Sequence, residues 1–256
     1  MDLGLSGKRA IVTGGSRGIG RAIAQRLASE GCSVAICARN ASEVAATVGE
    51  IQKHSPAGTN VTGAAVDVAD TAQLKTWIDS VAEDFGGLDI AVANVSALSG
   101  APDEDSWRRG MEIDMLGTVR TVEASMPYLE QSDWGSIVAV SSTAALEAFS
   151  GPRPYNAIKA AVINYMSNIA TQAAPNQVRA NTISPGCIYF DSGVWGDRKR
   201  EQPEVYDSAL AHNPLGRMGT PEEVANAVAF VASPAANFIT GANLVVDGGF
   251  TRRVQY

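Results

Sequence analysis

Tyr155 and Lys159 stand four residues apart, the spacing that puts two side chains on one face of a helix, and Ser142 lies a short way upstream. A free tyrosine ionises at about pH 10, too high for proton exchange at neutral pH, and a fixed ammonium one turn away favours the phenolate. The chemistry such a trio suits is proton exchange with an oxygen. Tyr155 would be the general acid when a ketone is reduced and the general base when an alcohol is oxidised. The Ser142 hydroxyl would orient the carbonyl and stabilise its oxygen as negative charge develops.

A hydride must come from elsewhere, and the N-terminal part of the chain offers a place for its carrier. Thr13-Gly14-Gly15-Ser16-Arg17-Gly18-Ile19-Gly20 follows a β-branched run and opens an amphipathic segment. In that context glycines let the backbone approach a pyrophosphate at a helix N-terminus. A tight strand-to-helix turn without a ligand is the plain alternative.

These residues need a scaffold, and the pattern along the chain describes one. Short apolar or β-branched runs alternate with longer amphipathic segments, as in parallel strands joined by crossover helices. The expected strands are 10–13, 33–38, 61–66, 89–93, 136–141, 179–184 and 243–246. Helices are expected from the glycine motif to about Glu30, over 43–53, 71–85, 104–127 with irregularities, 155–174 and 221–232. Gly31 is a C-terminal stop, and Thr220-Pro221-Glu222-Glu223 is a capped helix start. The expected fold is α/β: one doubly wound, Rossmann-like parallel sheet of about seven strands with helices on both faces, in a single domain over 1–256. Residues 190–213 mix aromatic and charged side chains and are expected to form a mobile lid over the site.

Composition bounds the rest. With 45% hydrophobic and 18% charged residues the 256-residue chain is expected to be ordered nearly throughout. A formal net charge of -7 argues against nucleic acid as a partner. No apolar stretch approaches membrane-spanning length, and the first residues lack the pattern of an export signal, so neither insertion nor export is expected. Cys32, Cys37 and Cys187 have no metal-like spacing, so reduced buried thiols, a cytoplasmic location and no metal are expected.

The spacing Thr-Gly-x-x-x-Gly-x-Gly, together with Asp67, Asn94, Ser142, Tyr155-x-x-x-Lys159, Pro185-Gly186 and Asp247-Gly248-Gly249, resembles the short-chain dehydrogenase/reductase family over essentially the whole chain. The resemblance implies that Gly14, Ser16, Arg17, Gly18, Ile19, Gly20, Asp67, Val68, Asn94, Pro185, Gly186 and Ile188 contact a nicotinamide coenzyme. It implies that Tyr155 and Lys159 also contact the coenzyme, Lys159 by holding the nicotinamide ribose, and that Ser142, rather than Ser141, is the catalytic serine. Asp67 would meet adenine, although a turn residue at a strand end is an equally simple reading. A homotetramer or homodimer is implied as well, with the tail at 252–256 able to reach a neighbouring subunit.

Ala38-Arg39 ends the second strand, where a carboxylate would accept the ribose hydroxyls and repel a 2′-phosphate. In the resembled family an arginine just after this position, often with a basic residue at the Arg17 position, signals NADP. A guanidinium pairs with phosphate through two hydrogen bonds, so NADP(H) is expected over NAD(H). A solvated surface arginine is the alternative for Arg39.

Three positions depart from the family pattern. Ala93-Asn94-Val95-Ser96 replaces Asn-Asn-Ala-Gly. Asp114 replaces the fourth catalytic residue, an asparagine thought to act through its carbonyl in a proton relay to lysine; a slowed or pH-shifted relay is expected, and a buried carboxylate there needs a partner. Phe190 replaces a threonine that contacts the nicotinamide carboxamide. With Tyr189 and Trp195 it would roof the site for an apolar or aromatic substrate, unless the three simply pack in the core.

The expected activity is NADP(H)-dependent interconversion of a ketone, or a 3-oxoacyl group, and a secondary alcohol. A 3-oxoacyl carrier would call for a basic patch such as Arg198-Lys199-Arg200. Two alternatives are a non-catalytic NADP(H)-binding redox sensor and an NAD-dependent alcohol dehydrogenase of the same family.

Overall fold

The β-branched runs pair as one parallel sheet. The structure, a computed structural model, describes residues 2–148, 151–252 and 254. Its strands are β1 (Arg9–Thr13), β2 (Ser33–Ala38), β3 (Val61–Ala65), β4 (Ile90–Ala93), β5 (Ser136–Val140), β6 (Arg179–Pro185) and β7 (Asn243–Val246). They lie in the order β3-β2-β1-β4-β5-β6-β7, every neighbouring pair parallel. The order reverses between β1 and β4, and the C-terminal ends of strands flanking such a point leave a crevice for ligands.

The five inner strands, β1, β2, β4, β5 and β6, bury both faces, as continuous apolar runs in parallel sheets must, while the edge strands β3 and β7 are partly exposed. On one face Val12, Ile36 and Val138 pack with Ile23 and Leu27 of α1 (Gly18–Ser29), Val44 and Ile51 of α2 (Ala41–Lys53) and Val224 and Val228 of α9 (Pro221–Ala232). On the other, Ile11, Ala91 and Ile137 meet α3 (Thr71–Phe85), α5 (Gly117–Leu129) and α6 (Pro154–Ala173) through Leu74, Ile78, Val122 and Met166.

Polar side chains fasten the sheet at its N-terminal edge. Arg9 donates from its main chain and from Nε to Asp89 Oδ2, each at 2.8 Å, and Ser132 donates to Asp89 Oδ1 at 2.5 Å. Burial pushes the Asp89 carboxyl up, but the hydrogen bonds from Arg9 and Ser132 outweigh it and hold the group below its ordinary range. Arg179, at the start of β6, donates to the carbonyls of Val231, Ala232 and Ser233 at the C-terminal end of α9, where carbonyls lack helical partners.

Several segments differ from expectation. The second helix starts at Ala41 rather than Glu43, because the Asn40 side chain accepts from the Ser42 and Glu43 amides and caps it. Residues 190–213 are not a loop but carry α7 (Val194–Glu201) and α8 (Pro203–His212). The irregularity within 104–127 is a wide π turn, Met111–Leu116, between α4 (Glu104–Gly110) and α5. Of the tail at 252–256, residues 253, 255 and 256 lie outside the described residues, and the Arg252 amide donates to Glu147 at 2.8 Å within the same chain.

Candidate active site

The glycine segment joins β1 to α1 at the switch point. Gly18, with φ +53°, begins α1 in a conformation that side chains rarely adopt. Gly20 has no room for a Cβ, which would run into the Gly14 carbonyl and the Asn94 amide. Asn94 in turn ties β4 to this turn: its side chain donates to the Thr13 and Gly14 carbonyls at 3.2 and 3.1 Å, and its main chain donates to Thr13 Oγ1. Asn94 is thereby placed as a clamp on the loop. The Ser16 carbonyl accepts from Thr47, fastening the loop to α2, and Ile19 packs on the core.

No side chain among the described residues caps α1. Its first amides are therefore left for an acceptor from outside the helix, which fits a pyrophosphate. One feature encroaches on this cradle: the Phe190 ring lies against Gly18.

Arg17 and Arg39 follow the cradle and β2, and both are exposed. Neither guanidinium has a hydrogen-bond or ion-pair partner among the described residues. Asp67 spends one oxygen on its own turn, accepting the Ala69 amide at 3.0 Å, as a strand-end residue does. The Val68 side chain is buried against Gly117, and its carbonyl accepts from Arg120, so only main-chain atoms remain for a ligand. Across the crevice Pro185 ends β6, the Gly186 amide donates to Val246, and the Ile188 side chain is buried in the core. A cavity of about 350 Å³ beneath Ile188, lined also by Asn213, Arg217 and Asp247, touches none of Ser142, Tyr155 and Lys159.

The reaction trio converges at the ends of β5 and α6. Ser142 follows β5 and caps a single 3-10 turn through the Ala144 amide, whereas Ser141 points the other way and donates to the Lys159 carbonyl at 2.9 Å. Pro154 starts α6, a position where its missing N–H costs nothing. Tyr155 falls in that first turn, with its amide donating to the Ser99 carbonyl.

One turn on, Lys159 is 3% exposed and its Nζ lies 5.8 Å from the centre of the Tyr155 ring. The ammonium donates to the Val140 carbonyl at 3.1 Å and stands 3.1 Å from Asp114 Oδ1, near enough for an ion pair though misaligned for a hydrogen bond. An ammonium has three protons; the Val140 carbonyl accepts one and Asp114 Oδ1 balances the charge without accepting a hydrogen bond, so donors remain for a ligand.

Asp114 sits in the π turn. The Ala97 amide donates to its Oδ2 at 2.8 Å, and Thr118 donates to its carbonyl at 2.7 Å. The carboxylate thus has the partner a buried charge needs. It also shapes the loop in which Val95-Ser96 stands where the family has Ala-Gly. The partners Ala97, Ser99 and Val140 act through main-chain atoms, for which a sequence carries no signal.

The aromatic residues expected to form one roof are separated. Phe190 is wedged between Gly18 and Gly193; Trp195 stacks under Arg198, 4.6 Å from ring centre to guanidinium; Tyr189 meets Tyr206 edge to face. Lys199 lies over both tyrosines, and Arg200 bonds Asp197 and the Asp191 carbonyl.

A sequence profile described as enoyl-(acyl carrier protein) reductase matches residues 14–251. Isoepoxydon dehydrogenase patN of Aspergillus clavatus is 35% identical over 98% of this chain and 98% of its own. L-sorbose reductase from Gluconobacter frateurii, solved with NADPH and L-sorbose, superposes with a TM-score of 0.90 at 29% identity, over 99% and 100% of the two chains. A 7α-hydroxysteroid dehydrogenase solved with NADH and 7-oxo glycochenodeoxycholic acid gives 0.89 at 31% identity, over 97% and 96%.

Proposed function

The chain belongs to the short-chain dehydrogenase/reductase family, an NAD(P)-dependent oxidoreductase of the alcohol and ketone type, and from that premise we propose that it reduces a ketone with NADPH, with Tyr155 as the proton donor. The observation that carries this is the Lys159 ammonium, buried beside the Tyr155 ring and hydrogen-bonded only to the Val140 carbonyl among the described residues. Asp114 and the Val140 carbonyl offset the cost of burying this charge, and its remaining field stabilises negative charge developing on the phenol.

In this mechanism the uncapped start of α1 and the bare glycines would hold the pyrophosphate, and the Lys159 ammonium would hold the nicotinamide ribose. The nicotinamide, when bound, supplies the hydride. Ser142 donates to the substrate carbonyl oxygen and orients it. Tyr155 delivers the proton to that oxygen as the alcohol forms, and takes it back in the reverse direction. Asp114 fixes the Lys159 ammonium and is a positioning residue because it acts through that group.

The preference for NADPH is supported by Arg17 and Arg39, two guanidiniums without partners among the described residues, beside the ends of β1 and β2. The basic run 198–200 is engaged with lid residues, which favours a small ketone over a carrier-bound 3-oxoacyl group. Helices α7 and α8 form the lid over this substrate. A homo-oligomer in the cytoplasm completes the reading, supported by exposed Trp107 and Met111 along α4 and the π turn, by the edge strand β7 and by the buried free thiols.

The test is a panel of ketones offered with NADPH and with NADH. Coenzyme oxidation, faster with NADPH, is expected for at least one ketone. Tight NADPH binding without turnover of any ketone would contradict this reading and favour a redox sensor.

A further inference from the structure

On the reading that a dinucleotide docks at the start of α1, we propose that Phe190 is a plug in the coenzyme seat, and that the coenzyme binds only after displacing its ring. Three ring carbons, Cζ, Cε2 and Cε1, lie 2.5, 2.9 and 3.0 Å from the position a Cβ on Gly18 would take. The same three carbons lie 2.6 to 2.8 Å from the corresponding position on Gly193. The tip of the ring is therefore gripped between two glycines that have no side chain to exclude it. One of them is the first residue of α1, at the end of the helix left without a side-chain cap.

Hydrocarbon is a poor neighbour for the open amides of a helix start, which an anion would satisfy. Ring and diphosphate compete for the same side of Gly18, so the closed and loaded states exclude one another.

The plug has a hinge. Residues just before it are anchored: the Tyr189 amide donates to the Gly219 carbonyl at 2.8 Å, the Gly219 amide donates to the Cys187 carbonyl at 2.9 Å, and Ile188 is buried. Phe190 is the first residue past this anchor. Beyond it, the Gly193 amide donates to the Phe190 carbonyl at 3.0 Å, and α7 begins at Val194. Arg200 holds the same stretch from the helix side through the Asp191 carbonyl. With the backbone held on both sides, the ring leaves Gly18 by rotating about its own side-chain bonds.

When only the plug-out state is competent, the apparent dissociation constant is the intrinsic one divided by the open fraction. Trimming the ring raises that fraction. The experiment is calorimetric titration of NADPH and NADH into the wild type, Phe190→Ala and Phe190→Leu, with stopped-flow association and melting curves for each. The proposal expects the dissociation constant to fall by about tenfold in Phe190→Ala and less in Phe190→Leu. It also expects the wild-type association rate to level off at high coenzyme, while that of Phe190→Ala keeps rising. If the alanine variant does not fold, the leucine variant decides by the same criterion. Variants that bind as weakly as the wild type, or more weakly, overturn the plug alone. Absence of NADPH and NADH binding in all three proteins overturns the coenzyme reading with it.

Discussion

The Lys159 ammonium stands 3.1 Å from Asp114 Oδ1, with both side chains 3% exposed. In the mechanism proposed above, the cation that assists Tyr155 is therefore shared with an anion, and the charge available to a developing phenolate is smaller than lysine alone would give. Asp114→Asn keeps an oxygen for the Ala97 amide and removes the negative charge. At one fixed pH the single-turnover rate of alcohol oxidation should then rise by about tenfold, because the unopposed ammonium better stabilises negative charge on the phenolic oxygen. Rapid-mixing kinetics of both proteins check this, and equal rates would refute it.

Arg39 should decide between the coenzymes. Arg39→Asp replaces a donor to phosphate with a carboxylate that repels it, so kcat/KM with NADPH should fall by about 100-fold, while that with NADH is held or improved. Steady-state kinetics with both coenzymes measure the ratio. An unchanged ratio would return Arg39 to the role of a solvated surface residue.

How far the sequence reaches is visible in these same residues. The strands and the helix over 71–85 were legible because a parallel sheet demands unbroken apolar runs and amphipathic crossovers. The need of a buried Asp114 for a partner was legible too, from the cost of burying a charge. The identity of that partner was not, since contacts between distant segments leave no periodic trace. Helices α7 and α8 escaped for a related reason: only Gly196 is buried in the first and no residue in the second, so no apolar stripe marks them. The Phe190 ring reads as a missing threonine until its packing against Gly18 is seen.

Asp89 ties stability to acid. Its carboxyl is held below the ordinary range in the folded protein, so its contribution is complete above the unfolded value of about 3.9 and is lost as pH falls through the folded one. Asp89→Asn should lower stability at pH 7 by about 3 kcal/mol, since Arg9 loses its partner, and flatten the fall in melting temperature below about pH 4. Melting curves from pH 2 to pH 8 would reveal it. An equally steep acid limb in the variant would count against this role.

The thiols should be silent in the folded state. Burial pushes Cys32 and Cys37 up to about 12 and Cys187 up to about 11, so almost no thiolate exists at pH 8. An aromatic disulfide reagent should titrate no thiol rapidly in the native protein and all three after denaturation. A fast native reaction would place one of them in a more open setting.

The central claim is proton delivery by Tyr155, and single-turnover reduction of a ketone by wild type and Tyr155→Phe measures it most directly, with coenzyme affinity determined alongside. The account predicts a rate lower by about 10³-fold in the variant with the NADPH dissociation constant unchanged. A variant that binds NADPH normally and reduces the ketone at the wild-type rate would contradict it.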